Sequence, residues 1–158
     1  MKSSTLPIVM AGLLLATAYG YAYAQALDPA AAAQKREAAM KRMGGDLKAI
    51  SEYGKGQGDQ TKAVAAAKDI VATQADLADL FPKGTGSDAL PGKSYASPKL
   101  WAEWDKFVSD NKLAHEKAKA LLATVQGGDK TAIAAAPDDM WNNGCQVCHK
   151  SFREKKSS

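Results

Sequence analysis

The sequence predicts an all-α protein, a single antiparallel four-helix bundle. Apolar residues recur at steps of three and four along several stretches, which places them on one face of a helix. Glycine and proline clusters cut the chain into four such stretches, with a helix-favouring background of alanine, lysine and glutamate. No run of alternating apolar and polar residues reads as a strand. At 158 residues the chain is the size of one domain with a fair core.

The N-terminus stands apart. Lys2 precedes the uncharged apolar run Leu6 to Ala18, and Ala22-Tyr23-Ala24 offers small residues where a signal peptidase cuts. Residues 1–24 therefore read as a cleaved secretory leader, too short in its apolar part for the ~20 residues of a membrane span. Removing 24 of the 158 residues leaves 134 from Gln25, and loss of Lys2 lowers the net charge from +4 to +3. Residues 25–158 form the domain. Its charges do not gather into a stripe, so nucleic acid is not an expected partner. No stable membrane insertion is expected after cleavage.

The first helix is expected from Pro29 to Tyr53, with Met40, Met43, Leu47 and Ile50 on its inner face and Gly54, Gly56 and Gly58 breaking it. Asp59 caps the second. Its stripe runs through Val64, Ala67, Ile70 or Val71, Gln74, Leu77 or Ala78 and Phe81 to a stop at Pro82. A connection from Lys83 to Ala96 crosses one end of the bundle. Ser97-Pro98 opens the third helix with serine at the cap and proline at the first helical position. Leu100, Trp104, Phe107, Asn111, Ala114, Ala118, Leu121 and Val125 then repeat until Gly127-Gly128. Asp129 caps a short run to Ala136, and Pro137 restarts the last helix, with Asp138 and Asp139 in its first turn and Arg153, Lys155 and Lys156 at its end.

The chemistry concentrates at Cys145-Gln146-Val147-Cys148-His149, the C-x-x-C-H pattern of covalent haem attachment. Residues three and four apart share a helix face, so two thioether bonds and one imidazole meet the same ring. A dithiol redox motif would sit beside a βαβ pattern, which this chain lacks. Zinc would need about four ligands at finger spacing. A local disulfide between the two cysteines is the remaining rival. An exported location suits haem attachment, and the leader points to it independently.

Beyond that motif, Cys145-x-x-Cys148-His149-x-x-Phe152-Arg153, the stretch Arg36 to Gly44 and Ser97-Pro98-Lys99-Leu100-Trp101 resemble the class II cytochromes c, the cytochrome c′ superfamily. The resemblance spans nearly all of residues 25–158 and is most like the low-spin cytochrome c-556 branch. It implies one covalent haem c with His149 as the proximal axial ligand. It also implies that Met40, before Lys41 and four residues after Arg36, is the distal ligand of that branch. A thioether favours ferrous iron and suits electron transfer. Inner-face methionine is also ordinary core filler, and Met43 is a second, weaker candidate. Met140 shares a helix with His149 and is excluded.

Arg36 and Arg153 are candidate propionate partners or solvated surface charges. His115 reads as a surface residue. Trp104, Phe107, Trp141 and Phe152 read as haem-packing or core aromatics. The expected function is a periplasmic monohaem one-electron carrier, not an enzyme, that exchanges electrons with redox partner proteins as a monomer or homodimer. The alternative is a five-coordinate, high-spin cytochrome c′ that binds nitric oxide or carbon monoxide. A haem peroxidase would need a distal acid/base group, and the first helix supplies no histidine for one.

Overall fold

A computed structural model of the protein describes residues 28–155. The expected leader at 1–24 and Lys156 lie outside the described residues. Helix α1 runs Pro29–Gly54, capped by Asp28, whose carboxylate accepts from the Ala31 N–H at 3.0 Å. Helix α2 runs Gln60–Ala75 under the expected Asp59 cap, bonded to Lys62 N–H at 2.9 Å. A short α3, Lys99–Ala102, leads into α4, Trp104–Gly127. Gly128 closes α4 at φ +79°, a left-handed conformation that glycine adopts without strain. Helix α5 is Lys130–Met140, and a π-helical turn at Trp141–Cys145 joins it to α6, Gln146–Phe152.

The bundle closes in a ring. Helix α1 packs on α2 and α5, and α4 packs on the same two. Ile50, Ile70, Phe107, Val125, Ile133 and Met140 are among its fully buried side chains. Gly54 marks the tightest approach. A Cβ there would stand 2.5 Å from the Ala134 backbone nitrogen, so the end of α1 lies on α5 with no room for a side chain.

Three expected boundaries move. The second helix stops at Ala75 rather than Pro82, and a 3-10 turn at Leu77–Leu80 follows. Its physical cause lies across the bundle: the Asn111 side-chain amide donates to the Gln74 carbonyl at 3.2 Å, the carbonyl that a continuing helix would offer to residue 78. Leu77 and Phe81 still reach the core. The third helix breaks at Glu103, at φ −117° and ψ 44°. Trp104, beyond that break, is 37% exposed rather than a core residue, while the Trp101 indole N–H donates to the Phe81 carbonyl at 3.0 Å. Pro137 does not restart a helix. It lies inside α5, buried in line with Ile133 and Met140, whose packing offsets the missing proline N–H. The last helix instead changes pitch four residues later, at the π turn.

The ends of the bundle are also tied. Ser97 N–H donates to the Phe152 carbonyl and Glu154 N–H to the Tyr95 carbonyl, both at 2.8 Å, around an isolated antiparallel bridge between Ala96 and Arg153.

Candidate haem site

The π turn ends on the first cysteine, Cys145. Gln146 N–H bonds to the Trp141 carbonyl, five residues back. The extra residue turns everything beyond it by about 100° relative to a regular helix. Gly144 makes the turn fit. It is buried, and a Cβ on it would meet Met140 Sδ at 3.2 Å and Lys117 Cβ of α4 at 3.4 Å.

Trp141, Gly144 and Cys145 from this turn and Cys148 and His149 from α6 line one cleft. Its other walls are Met40, Met43, Gly44 and Leu47 of α1, Gln74 and Leu77 from α2 and the turn after it, and Ala114 of α4. The cleft holds about 450 Å³ of space, counting its solvent-open mouth. Met40 and Leu47 are half-buried where the inner face of α1 meets it, and Met43 is buried.

Both thiols are free and half-buried, so the local disulfide is not formed. Burial raises the pKa of Cys145. Burial, then the negative charge of Asp110, pushes Cys148 up to about 12. Burial lowers His149, and the Arg153 cation adds to the effect. The cleft thus presents undissociated thiols and a neutral imidazole with a ligating lone pair. The Trp141 ring stands edge-on to His149, centroids 5.8 Å apart, and is itself 40% exposed. Trp141 therefore walls the cleft and does not enter the core. Phe107 and Phe152 do enter it, in edge contact at 6.0 Å.

Several buried polar atoms around this region have no partner among the described residues: His149 Nδ1, Gln74 Oε1 and Asn111 Oδ1. Two free thiols, a neutral imidazole and otherwise mainly apolar walls fit a covalently held porphyrin.

Arg36 is not a solvated charge. It is 6% exposed, and its Nη1 donates to the Leu80 carbonyl at 3.0 Å and Thr85 Oγ1 at 3.1 Å. Its Nη2 donates to the Thr85 carbonyl and Ser94 Oγ, both at 2.9 Å. The guanidinium also lies 4.6 Å above the Phe81 ring. All four Nη hydrogens are thereby committed to the connection between the second and third helices, one turn along α1 from Met40. Arg153 is exposed at the end of α6. His115 is half-buried and is not among the residues lining the cleft.

Sequence reasoning placed Gln74 and Asn111 in helical stripes without giving them a role. The available signal was a carboxamide at each of two otherwise apolar positions. The π turn was also missed, although Asn142-Asn143-Gly144 is a run of weak helix formers.

The sequence matches the Cytochrome C′ family over residues 31–153. It is 32% identical over 128 residues to cytochrome c′ of Pararhodospirillum photometricum, covering 80% of this chain and 99% of that one. It is also 32% identical over 125 residues to cytochrome c-556 of Agrobacterium tumefaciens (strain II Chrys), covering 78% and 97%. Among solved structures, oxidized R. palustris cytochrome c556 superposes with a TM-score of 0.67 at 28% identity, over 80% of this chain and 98% of that one. The chain belongs to the cytochrome c′ family, haem proteins with one covalent haem c that carry electrons or bind gases.

Proposed function

We propose that this chain is a periplasmic one-electron carrier of the low-spin kind, exported by the leader at residues 1–24 and cut after Ala24. Cys145 and Cys148 hold the haem by thioethers, His149 is the proximal axial ligand and Met40 the distal one. The observation that carries this reading is that Met40, on α1, and His149, on α6, line the same cleft from different helices. The haem supplies the redox chemistry. The chain's part is to bind it, exclude water with apolar walls and hold two axial ligands. A site closed by sulfur changes little between oxidation states, which lowers the reorganisation that electron transfer requires.

Arg36 adds a buried positive charge near the cleft with no carboxylate among its bonded partners. A haem propionate would supply the countercharge, with Nε as the donor left to meet it. Arg153, exposed at the end of α6, is the candidate for the second propionate. No histidine or carboxylate lines the cleft from α1, α2 or α4, so the reading is a carrier rather than a peroxidase. Electrons would pass to and from redox partner proteins at the cleft mouth beside Trp141. Cytochrome c′ homologues can be dimers, and monomer and homodimer both fit this function.

Carbon monoxide tests the assignment. Ferrous holoprotein with a Met40–iron bond keeps its spectrum under the gas. Ready formation of a carbon monoxide adduct would hand the chain to the five-coordinate, gas-binding reading.

A further inference from the structure

Gln74 is the one hydrogen-bonding side chain that α1, α2 and α4 contribute to the cleft. Their other lining residues are Met40, Met43, Gly44, Leu47 and Ala114. It is 3% exposed, and its Oε1 is buried without a partner. An amide oxygen buried without a partner loses its hydration with nothing to offset the loss. Packing alone does not call for it, since Ile70 and Leu77, a turn to either side, are buried apolar residues. The backbone that carries this side chain is also held in place. Asn111, 9% exposed, donates its amide to the Gln74 carbonyl at 3.2 Å and so pins the end of α2 where Gln74 meets the cleft. A half-turn of the carboxamide exchanges its oxygen and nitrogen, so the group can present an N–H to the cleft.

We propose that Gln74 donates a hydrogen bond from its carboxamide into the distal side of the cleft, to the Met40 thioether sulfur when that sulfur is the ligand. Gln74 is then a tuning residue, and Asn111 the residue that positions it. This rests on haem occupying the cleft with His149 as ligand. A bond donated to the sulfur withdraws electron density from it and destabilises the ferric state relative to the ferrous, which raises the potential.

The test compares holoprotein with Gln74→Leu by spectroelectrochemical titration. Loss of a bond worth about 1 kcal/mol is about fivefold in the redox equilibrium, which at 59 mV per decade is a fall of about 40 mV. A leucine that only made the cleft more apolar would disfavour the charged ferric state and move the potential upward, so the sign separates the two roles. The second measurement is the C–O stretching frequency of the carbon monoxide adduct in a Met40→Ala background, with and without Gln74→Leu. Loss of a donor raises the frequency. Gln74→Ala, which removes volume instead of changing shape, repeats both comparisons, and circular dichroism checks that each variant folds.

A lower potential with a higher stretching frequency supports the proposal. An unchanged or raised potential, or an unchanged frequency, overturns it. If the unmodified protein itself binds carbon monoxide, Met40 ligation fails. The frequency comparison, run on that protein directly, then decides the role of Gln74 on its own.

Discussion

Replacing Arg36 by methionine keeps the aliphatic stem and removes a charged fork that makes four hydrogen bonds. Bonds from charged donors contribute about 1.5–3 kcal/mol each, so a simple sum would reach about 6–12 kcal/mol. The acceptors reduce that figure. The Thr85 carbonyl keeps the Ser94 hydroxyl at 2.8 Å, Thr85 Oγ1 keeps its bond to the Pro82 carbonyl at 2.8 Å, and Ser94 Oγ still accepts from Ala96 N–H at 3.2 Å. Only the Leu80 carbonyl loses its side-chain partner outright, and the variant no longer bears the several kcal/mol of desolvating a guanidinium. A net loss of about 2–4 kcal/mol follows. Arg36→Lys, which keeps the charge without the fork, should lose about 1–2 kcal/mol. Denaturant unfolding of holoprotein measures the loss, and limited proteolysis within residues 82–94 reports whether the connection opens first. A loss below about 0.5 kcal/mol for Arg36→Met, with that connection still protected, would refute the clamp. A shifted potential at unchanged stability would leave Arg36 acting on the propionates alone.

Other outcomes follow from the same structure. Gly54→Ala should destabilise by about 1–3 kcal/mol, because its Cβ would collide with backbone rather than with a movable side chain; a neutral effect in thermal unfolding would contradict the close contact of α1 with α5. Burial, then the hydrogen bond to Asp69 and its negative charge, pushes Asp46 up to about 6 against the opposing pull of Arg42. Its folded value lies above the unfolded value of about 3.9, so the native chain holds a proton there that the unfolded chain has released. This contribution is fully present below about pH 4, falls as pH rises to about 6 and is flat above that. Asp46→Asn should be more stable than the parent at pH 7 and show less decline in Tm between pH 4 and 6, whereas an equal decline in both would remove Asp46 as the cause.

The sequence made some features of the fold plain and hid others for physical reasons. Helix α1 was readable because its apolar steps and its breaking glycines are local signals, and the Asp59 cap lies three residues from the amide it binds. The end of α2 was not, because it depends on Asn111, 37 residues away. Arg36 met the same limit, since its acceptors lie 44 to 58 residues along the chain. The two helix irregularities, at Glu103 and at the π turn, are invisible to periodicity, which averages over a turn. Gly144 needs a helix pressed against it to acquire meaning. At the site, the close spacing of Cys145, Cys148 and His149 announced the chemistry. The carboxamide of Gln74 became notable only once its neighbours in the cleft were seen to be apolar.

The identity of the distal ligand is decided most directly by the ferric spectrum of the unmodified protein beside that of Met40→Ala. The parent should be low-spin with a sulfur-to-iron charge-transfer band, and the variant should lose the band, turn high-spin and bind carbon monoxide when reduced. A high-spin parent, or a variant that keeps the low-spin spectrum unchanged, would contradict ligation by Met40.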